Sequence, residues 1–594
     1  MGPDEDSQYV ADWIARFNHA LSAGDGERVA RLFHDDGYWR SSLSLAWRIE
    51  TAHGPLAIEN MLAQATNPMP TLSVDGPIIR GSLAGLGETV ECLIAWRSDA
   101  MTGRGYLRLQ ALSAVGGQAG GEGVAMTLLT ASEALNGIDE LSLRNRDVQS
   151  WSPADHTWTD ERVRERSFDD RDPEVLIVGA GHAGLALAAR LRHIGVDTLV
   201  LESKPRIGDT WRERYRTLRL HNEISGNHLP YLPFPAGWPK FIPKDKLANW
   251  LEFYCEALEL NVWTGARFEH GDFDEDADKW TVTIQLATGD SRTLRPRRLV
   301  LATGLSGKPK RLDLPGADDF LGTIMHSGDY DGTMEVAGKN VVVLGTGTSA
   351  HDIAEDVHRR GGHATMLQRS PTTVVSVEQS ARAYELHRVW EGKRPTEDTD
   401  LSAASIPYDL LRRLHVPLNA SMVEADRDLI ERLERRGFLV DKSTSFFVKL
   451  LTRLGGYYLD VGASELIANG AIAVRSSAGI ERLHRDHVQL MDGTRLPADL
   501  LVLSTGYTSF TSVIAELLGS ETAQRVGEVW GLDETGELRN MWTGTAQRGL
   551  YIAGGPLTMC RFYSRSLALR LKAELDGLVG ADNVERESVE AAVG

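Results

Sequence analysis

EVLIVGAGHAGLALAARLRHIGVDTLVLE, residues 174–202, reads as a strand, a turn, a helix and a second strand. Val175 to Val178 form a short continuous apolar run, the pattern of a strand buried on both faces of a parallel sheet. Gly179, Gly181 and Gly184 fill the three positions of G-x-G-x-x-G, and Leu185 to Leu191 have helical character. The first glycine permits the tight turn and the second lets backbone approach a pyrophosphate. The third lets the helix pack closely on the strand. The pyrophosphate is expected at the helix amino end, where unpaired N–H groups point at it. The strand Thr198 to Leu201 then delivers Glu202, 23 residues after Gly179, where a carboxylate accepts both ribose hydroxyls of an adenosine.

A second copy follows in KNVVVLGTGTSAHDIAEDVHRRGGHATMLQRSP, residues 339–371. Gly345 and Gly347 repeat the pattern, Ala350 stands at the third position, and Ser349 opens the helix as a further candidate cofactor contact. The next strand, Ala364 to Leu367, ends on Gln368, Arg369 and Ser370 with no acid. A carboxylate there would repel a 2′-phosphate, whereas Arg369, 24 residues beyond Gly345, can pair with one. The first site is therefore expected to take an adenosine without a 2′-phosphate, such as FAD, and the second NADPH. A solvated surface arginine is the plainer alternative for Arg369.

Around these units the chain changes style. Before about residue 140, a helix is expected from Val10 to Phe33 and another from Pro55 to Leu62. The runs LSVDGPIIRGSLAG, VECLIAWRS, GYLRLQALSAV and EGVAMTLLTASEAL then alternate and are broken by glycine, as in a curved antiparallel sheet. The fold class expected is α/β, a flavoprotein with two Rossmann-like dinucleotide domains preceded by a small α+β unit. The boundaries expected are 1–140 for the α+β unit and 141–173 for a polar linker docked through Trp151 and Trp158. The FAD domain takes 174–335 and 480–585, the NADPH domain 336–479, and a flexible tail 586–594. Ser376 to Ile467 is helix-rich and reads as a cap or insertion, with core helices of the second unit as the alternative. Neither glycine unit draws on the first 140 residues, so the flavin site is expected to form without them.

Composition narrows the rest. The 594 residues are too many for one core, and 64 basic against 83 acidic side chains give a formal charge of −19. That field disfavours nucleic acid or an anionic membrane as main partner. Cys92, Cys255 and Cys560 lie far apart, so neither a metal cluster, a disulfide framework nor the C-x-x-C pair of a disulfide reductase is expected. The apolar stretch Val175 to Leu191 is interrupted by His182 and Arg190, so no membrane span is expected. The opening MGPDEDSQYVADW lacks a signal-peptide pattern, and a cytoplasmic location is expected. Two nucleotide units in one chain imply hydride transfer from a nicotinamide to a flavin, which then meets a second substrate.

Phe320-Leu-Gly322-Thr-Ile-Met-His326-Ser-Gly-Asp-Tyr330, between the two glycine loops, resembles the F-x-G-x-x-x-H-x-x-x-(Y/F) fingerprint of flavin-containing monooxygenases. Ser504-Thr505-Gly506-Tyr507 resembles that family's A-T-G-Y segment. Gly208-Asp-Thr-Trp211 with Tyr215, Leu218, Leu220 and His221 resembles the branch that contains the plant YUCCA enzymes. The resemblance covers about residues 174–570. It implies that NADPH reduces FAD and that the reduced flavin and O2 give a C4a-(hydro)peroxyflavin, which passes one oxygen atom to a small organic substrate. Heteroatom oxygenation and Baeyer–Villiger-type carbonyl oxygenation both remain open, with Tyr330 favouring the former. An NADPH oxidase releasing hydrogen peroxide, or a flavin-based redox-sensing interaction protein, are the alternatives.

By the same resemblance, Asn222 lies where the family keeps an asparagine beside flavin and nicotinamide ribose, with a turn cap as its structural alternative. His326 and Tyr330 join the domains and help position NADP, completing the candidate catalytic set. Trp211 with Arg212 closes the flavin pyrophosphate. Gly304 in LVLATGLSG, Thr505, Gly506 and Gly555 in YIAGG are strand-end turns near the cofactors. The amino-terminal unit resembles a SnoaL/NTF2-like cone, implying a homodimer contact or a cover over the entrance. Asp35, Asp36 and His53 in it are candidates for an enclosed pocket or for turn capping.

Overall fold

The computed structural model describes residues 3–83, 87–111, 123–140, 157–305, 307–385, 394–477 and 479–579. Trp151, the rest of 141–156 and the expected tail lie outside the described residues. The first nucleotide unit is a five-stranded parallel sheet in the order Val262–Thr264, Thr198–Glu202, Val175–Val178, Arg298–Leu301, Leu550–Ile552. Its central strands are buried along their whole length, which is why they read as continuous apolar runs. The helices His182–His193 and Leu557–Leu575 pack against one another.

The second unit repeats that plan in the order Thr323–His326, Leu500–Leu503, Asn340–Leu344, His363–Gln368, Ala473–Ser476, again parallel. The expected boundaries at 335/336 and 479/480 both cut this sheet. Thr323–His326 and Leu500–Leu503 belong to the second unit, and the chain returns to the first only after them. A run such as LLVL is equally apolar in either sheet, and only pairing assigns it. The helix-rich section contains Thr396–Ala404, Tyr408–Ala425, Arg427–Arg435 and Phe446–Arg453; Leu433 joins the core of the second unit, and Leu410, Leu411 and Leu451 join that of the first.

The amino-terminal helix expected over Val10–Phe33 is instead two helices, Pro3–Ser22 and Gly26–Ala30. Gly24 breaks them with φ +68°, Asp25 caps the second, and Phe33 already opens a strand. The sheet runs Ile49–His53, Phe33–Ser42, Ala125–Leu135, Met101–Gln110, Gly87–Arg97, Thr71–Val74, with Ile79–Leu83 also on Gly87–Arg97. It is not wholly antiparallel, because its first strand, Phe33–Ser42, pairs parallel with its last, Ala125–Leu135.

Part of the expected linker is a helix, Trp158–Ser167, closed by a Thr157–Asp160 capping box. Buried Arg162 docks it by donating to the Leu260 carbonyl and Asn261 Oδ1, while Trp158 stays half exposed. The amino-terminal unit is not an appendage either. Leu567 and Leu571 of the Leu557–Leu575 helix join the core of the first nucleotide unit. Leu569 and Ala573 of the same helix join Trp13, Phe17 and Trp39 in the amino-terminal core. A helix apolar on opposite faces must be covered on both. The amino-terminal unit and the first nucleotide unit therefore share this helix, which bears on the expectation that the flavin site forms without the first 140 residues.

Candidate functional site

The three glycines of the first loop do three different things. Gly179 has φ +112°, and a Cβ there would lie 2.4 Å from the Ala302 carbonyl oxygen. A Cβ on Gly184 would lie 2.0 Å from the Gly179 oxygen, so the helix sits directly on the turn. Gly181 caps the helix, and a Cβ there would meet no atom within 4 Å. That open cradle before helix N–H groups fits a pyrophosphate. The second loop matches it. Gly345 has φ +125° and a Cβ there would lie 2.5 Å from the Ser504 oxygen, while Gly347 caps a helix and a Cβ there would meet no atom within 4 Å. Ser349 lies in that helix's first turn and Ala350 is fully buried.

Each loop leans on the end of a neighbouring strand, Ala302-Thr303-Gly304 in the first unit and Ser504-Thr505-Gly506 in the second. Gly304 (φ +89°) and Gly506 (φ +77°) turn the chain in the same way. Thr505 and Gly506 thus stand at the second nucleotide site, not in the FAD domain where the expected boundary put them. The chain leaving the first turn touches the second: Lys310 N–H donates to the Gly506 oxygen at 3.0 Å, and Thr505 Oγ1 donates to the Lys310 oxygen at 2.5 Å.

Glu202 ends its strand 7% exposed, accepting from the N–H groups of Lys204 (2.8 Å) and Ala180 (3.3 Å). Burial pushes its carboxyl up, and those N–H donors oppose the shift. A buried carboxylate beside the loop fits hydroxyl donors such as a ribose diol. Arg369 is exposed at the matching strand end, and among the described residues no hydrogen bond or ion pair engages it. Its free guanidinium fits a phosphate.

Tyr330 is 2% exposed, and its hydroxyl donates to Asp356 Oδ2 at 2.7 Å on the helix Thr348–Arg359. It pins that helix and has no free face for a reactant, so its placement among catalytic residues is corrected to a structural one. His326 is also wholly buried; Nδ1 accepts the Gly328 N–H and Nε2 donates to the Gly506 oxygen at 2.9 Å. This network assigns a neutral ring, and burial lowers its pKa. His326 holds the strand-end turn and is no acid or base. Asn222 is partly buried in a loop whose Tyr215 bonds Asp352 of the second unit's helix, so that loop spans both units. Arg212 is committed to Ile207, Asp209, Asn249 and Glu252, not to a pyrophosphate. Asp36 pairs with Arg413 of the Tyr408–Ala425 helix and lies 2.7 Å from His53 Nε2 within its own unit, and both side chains are at least partly exposed, not enclosed.

Trp211 lies 6.4 Å from His182, centroid to centroid. His182 follows Gly181 directly, and its Nε2 donates to the Gly555 oxygen at 2.8 Å. The imidazole thus ties the pyrophosphate loop to the turn after Leu550–Ile552, both at the carboxyl ends of the parallel strands, where such sheets bind ligands. Trp542 Nε1 donates to the Gly554 oxygen at 2.9 Å. Gly555 has φ +110°, and a Cβ on it would meet Met559 Sδ at 3.3 Å and Trp530 at 3.6 Å. Sequence reasoning missed His182, Trp530, Trp542 and Met559. Only the x position of the glycine motif marked His182, and nothing local marked the others.

The family model described as pyridine nucleotide-disulphide oxidoreductase matches residues 176–404. Cys92, Cys255 and Cys560 are buried free thiols, so the chain has the nucleotide fold of that group without its dithiol. The chain is 32% identical over 339 residues to indole-3-pyruvate monooxygenase YUCCA1 of Oryza sativa subsp. japonica, covering 57% of this chain and 77% of the relative. It is 29% identical to the probable indole-3-pyruvate monooxygenase YUCCA10 of Arabidopsis thaliana, covering 56% and 82%. The fold is similar to open cyclohexanone monooxygenase (TM-score 0.53, 16% identity, 70% of this chain and 91% of that one). It is also similar to oxidised steroid monooxygenase bound to NADP (TM-score 0.51, 18% identity, 70% and 89%). Two glycine loops set against equivalent strand ends, together with this kinship, establish that the chain belongs to the flavin-containing monooxygenase family and is an FAD- and NADPH-dependent enzyme.

Proposed function

We propose that the enzyme uses O2 to oxygenate a small, largely apolar organic compound beside the Gly554–Gly555 turn. The observation that carries this reading is the wall around the turn. Trp530 and Met559 flank Gly555, and Leu305 and Met541 would lie 3.2 and 3.5 Å from a Cβ on Gly554. Such a wall excludes water and favours an aromatic or alkyl group. The relatives named for indole-3-pyruvate make aryl-substituted 2-oxo acids the first class to test. Reduced by NADPH, bound FAD supplies the oxygen activation. The chain's residues do the holding: Gly179, Gly181, Gly184 and Glu202 take the FAD pyrophosphate and ribose. Gly345, Gly347, Ser349 and Arg369 take NADPH, with Arg369 on the 2′-phosphate. Trp211, Gly304, Thr505, Gly506 and Gly555 shape the crevice between them, and Asn222 is the candidate polar contact from the spanning loop.

The FAD unit takes about residues 174–322 and 507–579 and the NADPH unit 323–506, with the helical section as an insertion in the latter. The amino-terminal unit, helices followed by a bent sheet, fits an NTF2-like cone, and we assign it to assembly, including a homodimer contact. Three buried free thiols fit a cytoplasmic setting. Among the described residues no helix is long and apolar enough to cross a membrane.

The test is turnover of the purified FAD protein with NADPH and oxygen-18 dioxygen over arylpyruvates, ketones, sulfides and amines, read by mass spectrometry. One labelled oxygen atom in an organic product is expected. Stoichiometric hydrogen peroxide with every substrate would overturn the reading and favour an oxidase.

A further inference from the structure

The segment 527–549, between the helix Phe510–Val526 and the strand Leu550–Ile552, holds three non-glycine residues in left-handed backbone. They are Trp530 (φ +74°), Asn540 (φ +55°) and Trp542 (φ +61°). Bulky residues persist there only where their surroundings fix them. The fixing contacts are visible. Trp530 Nε1 donates to the Leu450 oxygen at 2.9 Å, and Asn540 Nδ2 donates to the oxygens of Val526 and Glu528 at 2.8 Å. Trp542 Nε1 donates to the Gly554 oxygen. Because a trans peptide sets C=O and the next N–H on opposite sides, this bond also turns the Gly555 N–H to the other side of its peptide plane. The neighbouring Gly555 oxygen is taken by His182. Both carbonyls of the turn are therefore held by ring N–H groups.

The same segment carries Glu537, 4% exposed, and its partners come from the amino-terminal unit. Arg40 Nε donates to Oε1 at 2.7 Å and Nη2 to Oε2 at 2.5 Å, while Thr51 Oγ1 donates to Oε1 at 2.6 Å. Arg40 is fixed in turn by the Ala404 oxygen at 2.9 Å and the Tyr563 hydroxyl at 2.5 Å. A bidentate arginine sets the angle of a carboxylate as well as its place. A buried carboxylate that lost it would have to move to find water.

We propose that Arg40 and Thr51 are positioning residues for the flavin: by gripping Glu537 they hold the segment whose Trp542 and Trp530 set the Gly554–Gly555 turn against the cofactor. The proposal rests on FAD occupying the first unit. It gives the amino-terminal unit a part in the chemistry without a reactive group of its own.

The test uses the full-length FAD-loaded protein and the variants Arg40→Met, Trp542→Phe and their combination. Visible circular dichroism and fluorescence of the bound flavin, peroxide formed per NADPH, and the NADPH dissociation constant are measured. Arg40→Met and Trp542→Phe should shift the flavin signals in the same direction and raise the peroxide fraction roughly twofold or more. The double variant should be no worse than the stronger single, as for residues acting through one network. The NADPH constant should not change. Thr51→Val, nearly isosteric, removes one bond to Glu537 and should give a smaller shift of the same sign, so it serves if Arg40→Met does not fold. Lowered thermal stability with unchanged flavin signals, or additive effects in the double variant, would overturn the proposal. Absence of FAD from the wild-type protein would instead overturn the cofactor assignment, and FAD retained without oxygen transfer would overturn only the substrate reading.

Discussion

The unit built on Gly179–Gly184 and the one built on Gly345–Ala350 turn the chain alike, pack it against equivalent strand ends and differ in a few side chains. After its second strand the first carries Glu202, buried and met by N–H donors, and the other carries Arg369, exposed and unengaged. The first helix begins tightly, with no room for a Cβ at Gly184, whereas the second accommodates the methyl of Ala350. Four residues beyond the middle glycine, the first has buried Leu185 and the second buried His351. Backbone geometry is shared by the two loops, and in the proposed reading the side chain at the strand end selects the dinucleotide.

Substitution of the middle glycines should break the two sites separately, with the largest effect. Gly181→Asp places a side chain and a negative charge in the pyrophosphate cradle and should abolish FAD retention. The flavin-to-protein absorbance ratio measures this, with circular dichroism to confirm folding. Gly347→Asp should keep the flavin and abolish its reduction by NADPH. A folded Gly181→Asp protein with stoichiometric FAD would remove that loop from the site.

Next comes a difference in acid sensitivity. His351 is fully buried; its Nδ1 donates to the Gly347 oxygen at 3.1 Å, it stacks on Tyr458, and burial lowers its pKa from 6.5 to about 4. A histidine with a depressed folded pKa binds its proton more readily when unfolded. Its contribution is complete above pH 6.5 and is lost as pH falls toward 4. The loss amounts to about 3 kcal/mol over that window. His351→Leu, which copies the first unit, should flatten the fall of the urea midpoint between neutral pH and pH 4.5. An unchanged slope would assign the acid sensitivity elsewhere, with His415, also lowered to about 4, the next group to replace.

Arg369→Ala should come third. Charged hydrogen bonds of this type are worth about 1.5–3 kcal/mol, or roughly tenfold to a hundredfold in binding. Stopped-flow flavin reduction should show NADPH saturation weakened by that factor and NADH saturation nearly unchanged. Equal losses with both nucleotides would give Arg369 a structural role. The smallest effect belongs to Ala350→Gly, which brings the second loop to the glycine pattern of the first. It should cost about 1 kcal/mol through helix propensity and lost methyl burial, and leave NADPH binding intact. A large loss of NADPH binding would mean that the methyl group shapes the site.

What was legible in the sequence follows from how far each interaction reaches. The glycine loops, their helices and the acid or arginine at the strand end are written within about thirty residues, so motif and spacing place them together. His326 is legible from its spacing in the fingerprint, but its partner, the Gly506 carbonyl, lies 180 positions away, and its work is to hold a turn. Tyr330 reads like a site residue and is a core residue, because a phenol donating to a buried carboxylate on a packed helix leaves no trace in local sequence. The helix Trp158–Ser167 reads as linker because it is polar almost all round and is held by polar contacts to distant residues, among them Arg162 to Asn261, Glu165 to Arg192 and Trp263 to the Arg166 carbonyl.

The sequence by itself determined that this chain has two glycine loops between strand and helix, that the strands after them end at Glu202 and Arg369, and that its three cysteines form no C-x-x-C pair. These are properties of residue identity at short spacing. Tertiary structure alone decided that Thr323–His326 and Leu500–Leu503 pair within the second sheet, and that the Leu557–Leu575 helix serves two cores. It also brought Arg40 to Glu537 across 497 positions. An apolar strand fits any buried sheet and an arginine fits any carboxylate, so those choices are made by the packing of the whole chain.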